Sequence, residues 1–275
     1  MTSPDSSRTT TLPDAAPTRD ESDGAPAGPT APEPSSGLAG QALVALSWLV
    51  GAALVVLVAR MLRGPSESLY LAVTARTADL PGTELVAEGG VLVLVAWCAL
   101  VAWRSRRGGP PAVATTLVAG VGAVAAYAAS EAVKSLVRQP RGCWELVEVA
   151  HCPAAGDWSF PSNHTAIAFA LATAVVLAGA PAVRVPGAVP ARRATRGRPP
   201  ARAVGGGVAA LAAGGGAAAR VAQGVHFPHD VVAGAAVGVA VVVAAVTVLA
   251  GPATTAVAAA CRVDGVRRVL LARPS

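Results

Sequence analysis

Three short segments of an apolar chain carry side chains suited to holding and cleaving a phosphate ester. Lys134, the only lysine among 22 Lys and Arg residues, precedes Arg141 by seven positions. A Pro-Ser-Asn-His run ends at His164, and Arg220-x5-His226-x3-Asp230 follows later. Arginine offers a planar fork that matches two phosphate oxygens, whereas lysine offers a compact point charge. A neutral imidazole can attack phosphorus, and a protonated one can donate to the leaving oxygen. If the chain around Val225 to Val231 is helical, His226 and Asp230 share a face, and the carboxylate can hold one ring nitrogen while aiming the other. Ser162 or Asn163 can cap a helix beginning near His164, whose unpaired backbone donors suit an anion. Taken singly, each feature has a plainer explanation: arginines snorkel at membrane interfaces, histidines satisfy helix ends, and many helices start this way. Together they read as a metal-free phosphate site, with His226, His164 and Asp230 doing the chemistry and Lys134, Arg141, Arg220, Ser162 and Asn163 gripping the anion.

The elements that must position these residues are membrane helices. The chain is 53% hydrophobic and only 14% charged over 275 residues, with a mean hydropathy of +0.53, too apolar for an ordinary soluble domain. The net charge of +6 comes from arginines between apolar segments, without the aromatic-basic interleaving of a nucleic-acid surface, so nucleic acid is excluded as a partner. Residues 1–38, rich in Pro, Ser, Thr, Ala and acids, are expected to be a disordered tail. They lack the apolar core of a signal peptide, which makes Ala42 to Ala59 an uncleaved first span. Further spans are expected at Val91 to Trp103 (extended by Leu85 to Gly90), Ala112 to Ser130, Thr165 to Val183, Ala203 to Ala219 and Val231 to Ala250. The glycine runs in the fifth favour close helix packing in a bilayer. The expected fold is all-α, a polytopic six-helix bundle over residues 39–250 with a C-terminal tail over 251–275.

Arginine placement orients this bundle. Arg104, Arg106 and Arg107, the run from Arg184 to Arg202, and Arg262, Arg267, Arg268 and Arg273 fall on one side. That bias puts both tails in the cytoplasm and the three chemical segments on the extracytoplasmic face. Cys143 and Cys152 flank the outer loop, where an oxidising compartment would allow pairing. Two separate loop thiols remain an alternative, and a metal site with His151 fits no common zinc spacing. Arg138 is expected either to line the pocket or to meet headgroups. His229 is expected at the surface, with a place beside Asp230 supporting the site as the alternative, and Trp144, Trp158 and Phe160 read as interfacial anchors.

Lys134-x6-Arg141, Pro-Ser-Asn-His164 and Arg220-x5-His226-x3-Asp230 resemble, in order and spacing, the three signature motifs of the type 2 phosphatidic acid phosphatase superfamily, the lipid phosphate phosphatases related to vanadium haloperoxidases. The resemblance covers roughly residues 40 to 250. It implies that His226 forms a phosphohistidine, Asp230 orients it, His164 protonates the leaving oxygen, and Lys134, Arg141 and Arg220 grip the phosphate, with no metal or cofactor. Three positions depart from the pattern: Gly142 stands in place of proline, Asn163 in place of glycine and Ala219 in place of serine. The lost serine hydroxyl is worth about 1 to 2 kcal/mol of phosphate contact. The implied substrate is a lipid-linked phosphate or diphosphate in the bilayer: a polyprenyl diphosphate such as undecaprenyl diphosphate, phosphatidic acid or phosphatidylglycerol phosphate. A non-catalytic binder of anionic headgroups would keep the arginines without needing His226 or Asp230. A vanadate-dependent oxidase would share the pocket but not six membrane spans.

Overall fold

Runs of Ala, Val and Leu with no period-two alternation satisfy their backbone internally as helices. The computed structural model describes residues 35–179 and 201–272, and among them the chain is all-helical. In order come α1 (Ser35–Met61), α2 (Arg63–Thr77), α3 (Thr83–Ser105), α4 (Gly109–Val137), α5 (Gly142–Glu145), α6 (Asn163–Ala178), α7 (Ala201–Ala222), α8 (Pro228–Ala260) and α9 (Asp264–Leu270). Four of these, α1, α3, α4 and α8, are long and apolar enough to cross a membrane. Helix α6 is shorter at 16 residues, and residues 180–183 of its expected span lie outside the described residues. Large apolar side chains stay exposed along the bundle, including Leu43, Leu54, Leu57, Leu92, Val121 and Val124. A surface this apolar fits hydrocarbon better than water.

Two boundaries differ from the sequence reading. Helix α1 begins at Ser35, inside the stretch assigned to the tail, because Leu38 and the apolar run behind it extend helix backward; residues 1–34 lie outside the described residues. Helix α8 runs ten residues past Ala250 through Pro252, so most of the expected C-terminal tail is helical, and α9 follows it. Helix α2 was not foreseen. Its Ser66, Tyr70 and Thr74, spaced by four, form the buried stripe, while the apolar Leu69 and Leu71 stay exposed.

Helix α6 sits centrally, packed against α3, α4, α7 and α8. Its alanines make this possible. Ala170 and Ala174 meet Ala119, Ala123 and Ala126 of α4 with Val242 of α8, while Ala168, Ala172 and Val175 meet Leu94 of α3 and Ala209 and Ala213 of α7. Glycines bring backbones into contact. A Cβ on Gly234 or Gly238 would collide with the carbonyl oxygen of Ser162 or Ala166, so this small-x3-small pair fixes α8 directly on the N-terminal half of α6. On α3, Gly90 faces the Ala212 oxygen of α7, where a Cβ would lie at 3.0 Å.

The alternating helix directions gather one set of ends. The C-terminal ends of α4 and α7 carry Lys134 and Arg220, and the N-terminal ends of α6 and α8 carry His164 and Asp230. At the opposite end Arg106 joins α9, donating to the Arg268 oxygen at 3.1 Å.

Gly142 illustrates how one departure from the family pattern is accommodated. The Tyr70 ring occupies the space a side chain would take, with its Cζ 2.5 Å from a Cβ built at Gly142, and its hydroxyl donates to the Gly224 oxygen at 2.8 Å. Overpacking of this kind costs about 1 to 3 kcal/mol. Gly142→Ala is therefore expected to lower the unfolding midpoint in detergent, and the loss should shrink in a Tyr70→Ala background. Equal losses in both backgrounds would disprove the steric account.

Candidate active site

Asp230 is held from several sides at this end of the bundle. As the third residue of α8 it accepts from the Phe227 backbone N–H at 2.8 Å, which also closes the first turn. Gln139 Nε2 donates to its Oδ1 at 3.1 Å, and the Ser159 hydroxyl makes a short hydrogen bond to Oδ2, the oxygen that Phe227 N also reaches. Pro140 helps to place Gln139: helix α4 stops at Arg138, which takes a left-handed φ of 46°, and the next residues run extended into Arg141. His226 is not on the helix as expected but two residues before it. The carboxylate reaches back to His226 Nδ1 at 3.4 Å, a long contact that nevertheless selects one face of the ring.

The other face meets Arg141. Its guanidinium NH1 lies 3.2 Å from His226 Nε2, and a guanidinium can only donate. Nε2 must therefore present its lone pair, which leaves the proton on Nδ1 facing Asp230. Burial pushes the His226 pKa well below its ordinary value, reinforced by the positive charges of Arg141, Arg220, Lys134 and His164. The result is a neutral imidazole with a directed lone pair, the form a nucleophile requires.

Three cations lie at the same end of the bundle as this ring. Arg141, 2% exposed, donates to the Val225 oxygen through NH1 and to the Asp157 oxygen through Nε, each at 2.6 Å. Its NH2 lies 3.0 Å from Asp157 Oδ2, and Lys134 Nζ lies 2.8 Å from Oδ1 of the same carboxylate. Burial alone would raise the Asp157 pKa, but Lys134 and Arg141 outweigh it and hold the carboxyl below its usual range. Arg220 NH1 stands 3.7 Å from Glu88, while its buried Nε has no hydrogen-bond partner among the described residues. A buried unpaired guanidinium N–H is costly unless an anion arrives to accept it.

His164 is the second residue of α6, and its Nε2 lies 2.9 Å from the Ala87 oxygen. The ring therefore donates there, leaving Nδ1 facing Glu88 at 3.9 Å. The two neighbours expected to touch phosphate are engaged elsewhere. Ser162 is buried, its Oγ accepting from Thr165 N at 3.4 Å and paired with Thr165 Oγ1 at 3.1 Å. Asn163 turns to α4, accepting from Ser130 at 2.7 Å and donating to Glu131. What they can offer an anion is the first-turn backbone of α6, where N–H groups have no earlier acceptor in the helix. Replacing glycine by asparagine thus ties α6 to α4 without filling the pocket.

The surrounding residues correct some expectations and meet others. His229 is buried, not at the surface: Ser66 accepts from its backbone N–H and meets Nδ1 at 2.8 Å, while Gln139 and Asp230 lie within 3.3 Å of Nε2. Phe160, expected at an interface, is buried against it with ring centroids 5.5 Å apart. Arg138 is exposed and folds onto its own helix, donating to Ser135, away from the site. Cys143 and Cys152 form the disulfide that their placement allowed, with Cα atoms 5.9 Å apart, and Trp144 inside that ring donates to the oxygen of Pro153 just beyond it. Gln139, Ser159, Ser66 and Glu88 were not singled out for the site. Gln139 and Ser159 share only their nearness to motif residues, and neither side chain is unusual at its position in sequence.

A family model described as the PAP2 superfamily matches residues 114–251, half of the chain, and all three chemical segments fall within it. No curated protein and no solved structure matches the chain. The matched span thus supplies both histidines, all three cations and the aspartate that meet at this end of the bundle, and the chain belongs to the PAP2 superfamily, whose members are generally phosphatases acting on phosphate esters.

Proposed function

We propose that the protein is an integral membrane phosphatase that hydrolyses a lipid-linked phosphate or diphosphate through a phosphohistidine on His226. The observation that carries this reading is the His226 ring held between Asp230 and Arg141, with the lone pair of Nε2 facing the Arg141 guanidinium, which shares the Asp157 carboxylate with Lys134. The phosphate oxygens are bound by Lys134, Arg141 and Arg220, whose unpaired Nε becomes a donor to the anion. Nε2 attacks phosphorus, the bond to the leaving oxygen breaks, and His164, acting from its doubly protonated form, delivers the Nδ1 proton to that oxygen while Nε2–H stays on the Ala87 oxygen. Asp230 balances the charge that develops on the imidazole. A water molecule then gives a proton to His164 and attacks the phosphohistidine, releasing inorganic phosphate and restoring both rings. Imidazole supplies the nucleophile and the cations supply charge stabilisation, so this scheme calls for no metal or cofactor.

The same reading takes α1, α3, α4, α6, α7 and α8 as six membrane spans in a cell membrane. The basic end built from Arg106 and α9 lies in the cytoplasm with both tails, and the site opens at the extracytoplasmic rim. The disulfide supports the oxidising side. The catalytic bundle in this reading runs from α1 to the end of α8 at Ala260, with the tail before it and a C-terminal segment bearing α9 after it. The partners are the bilayer and its lipid phosphates, with polyprenyl diphosphate, phosphatidic acid and phosphatidylglycerol phosphate fitting the same cradle and nucleic acid having no place in it.

The test is phosphate release by the full-length protein in proteoliposomes from a panel of lipid mono- and diphosphates with EDTA present. Release from at least one, unaffected by EDTA, is expected. No release from any would favour a headgroup-binding protein, and loss to EDTA would contradict the metal-free scheme. The depressed His226 pKa adds a prediction. Because the neutral ring is the active form and its pKa lies below 6.5, the acidic limb of kcat/KM, corrected for substrate ionisation, should fall below that of an ordinary histidine. A limb above 6.5 assigned to the enzyme would oppose the assignment.

A further inference from the structure

Lys134 and Arg141 are the two cations whose spacing first suggested a phosphate site, and each is already taken by one oxygen of the same carboxylate. Lys134 Nζ and Arg141 NH2 lie 2.8 and 3.0 Å from the two oxygens of Asp157. A phosphate monoester would offer the same two cations a pair of oxygens in much the same way. We infer that Asp157 is an internal occupant of the phosphate cradle, displaced when substrate enters, and that it sets the affinity threshold an incoming anion must exceed. The inference rests on the phosphate-binding role proposed for these cations.

Three features make the displacement feasible. The Asp157 side chain is 51% exposed although its partners are only 6% and 2% exposed, so the carboxylate sits at the solvent side of two buried charges. Its backbone is fixed separately: the carbonyl accepts from Arg141 Nε at 2.6 Å and the N–H donates to the Ala154 oxygen at 3.2 Å. Rotation about its own side-chain bonds therefore suffices, with no loop movement. Arg141 also keeps the Val225 oxygen, so its guanidinium stays in place when the carboxylate leaves.

The consequence is selective. A membrane surface is crowded with phosphodiester headgroups, each bearing one negative charge. Such a group gains little by replacing an equally charged carboxylate tethered at the site. A monoester dianion or a terminal diphosphate brings more charge and more oxygens to the same cations. Asp157 thus keeps a strongly cationic pocket from filling with bulk lipid while admitting the substrate class.

The test measures binding of inorganic phosphate to the detergent-solubilised full-length protein by titration calorimetry, a readout independent of turnover. If the cradle is free in about one molecule in ten, Asp157→Asn should tighten phosphate binding about tenfold. Asp157→Glu, which keeps a tethered carboxylate, should stay within about threefold of wild type by the same population argument. An Asp157→Asn protein that binds phosphate equally or more weakly would make Asp157 a support for the cations and overturn the inference, as would absence of binding in every variant. Tighter binding in Asp157→Asn with no lipid phosphate hydrolysed by wild type would instead remove the proposed reaction and leave the inference standing.

Discussion

Replacing His226 by alanine is expected to lower phosphate release by a factor on the order of 10⁴ or more, with phosphate binding by the cradle changed only a few-fold. The variant removes the atom that attacks phosphorus, and nothing else within the site can replace it. Arg141 keeps its bonds to Val225 and Asp157, and Lys134 keeps Asp157, so the cations are not released by the substitution. His226 also lies outside the helices and their apolar clusters, which limits the cost to folding. The measurement is kcat and KM for the best lipid substrate, with the unfolding midpoint as a control. A variant retaining a tenth or more of the wild-type rate, on the scale of about 10⁴ set by removing a nucleophile, would exclude His226 from that role.

Asp230→Asn is expected to reduce kcat by about 10³ to 10⁴, through the ring it orients instead of through substrate contact. The carboxylate accepts from Phe227 N, Gln139 and Ser159 while facing Nδ1 of His226. An asparagine has one acceptor oxygen and an NH₂ that can only donate. In either orientation at least one donor meets another donor. If the NH₂ faces His226, the ring must accept at Nδ1 and carry its proton on Nε2, where it clashes with Arg141 and has no lone pair for phosphorus. The unpaired donor should also cost about 1 to 3 kcal/mol of stability. A fall in kcat with KM nearly unchanged, alongside a lowered unfolding midpoint, is the expected pattern. A change confined to KM would point to a substrate-binding role for Asp230.

What was legible in the sequence were features set by local chemistry. Apolar runs located the helices because a backbone in hydrocarbon has few other options. His164, His226, Asp230, Lys134, Arg141 and Arg220 stood out because polar residues in such runs need a reason. Less legible were features decided by packing between distant segments. Gln139 and Ser159 reach Asp230 only because the chain after α4 and the chain before α6 run side by side, with Ser159 N donating to the Gln139 oxygen at 2.8 Å. His229 read as a surface group because nothing local indicates that Ser66 of α2, 163 residues away, will cover it. Helix α2 itself was hidden because its buried stripe is Ser, Tyr and Thr, residues that carry no hydrophobic periodicity. Asn163 could be recognised as a departure from the family motif, yet its direction depended on Ser130 and Glu131, whose register on α4 no motif records. Asp157 was visible only as one acid among several in a loop. Its position between two cations required the fold.

The most direct test of the central claim is to quench the wild-type protein under alkaline denaturing conditions during turnover of a lipid phosphate, since a phosphohistidine is acid-labile, and to map the phosphoryl group by mass spectrometry. The prediction is a phosphoryl group on the imidazole of His226. Its presence on any other side chain, or its absence at every quench time while phosphate is being released, would contradict the account.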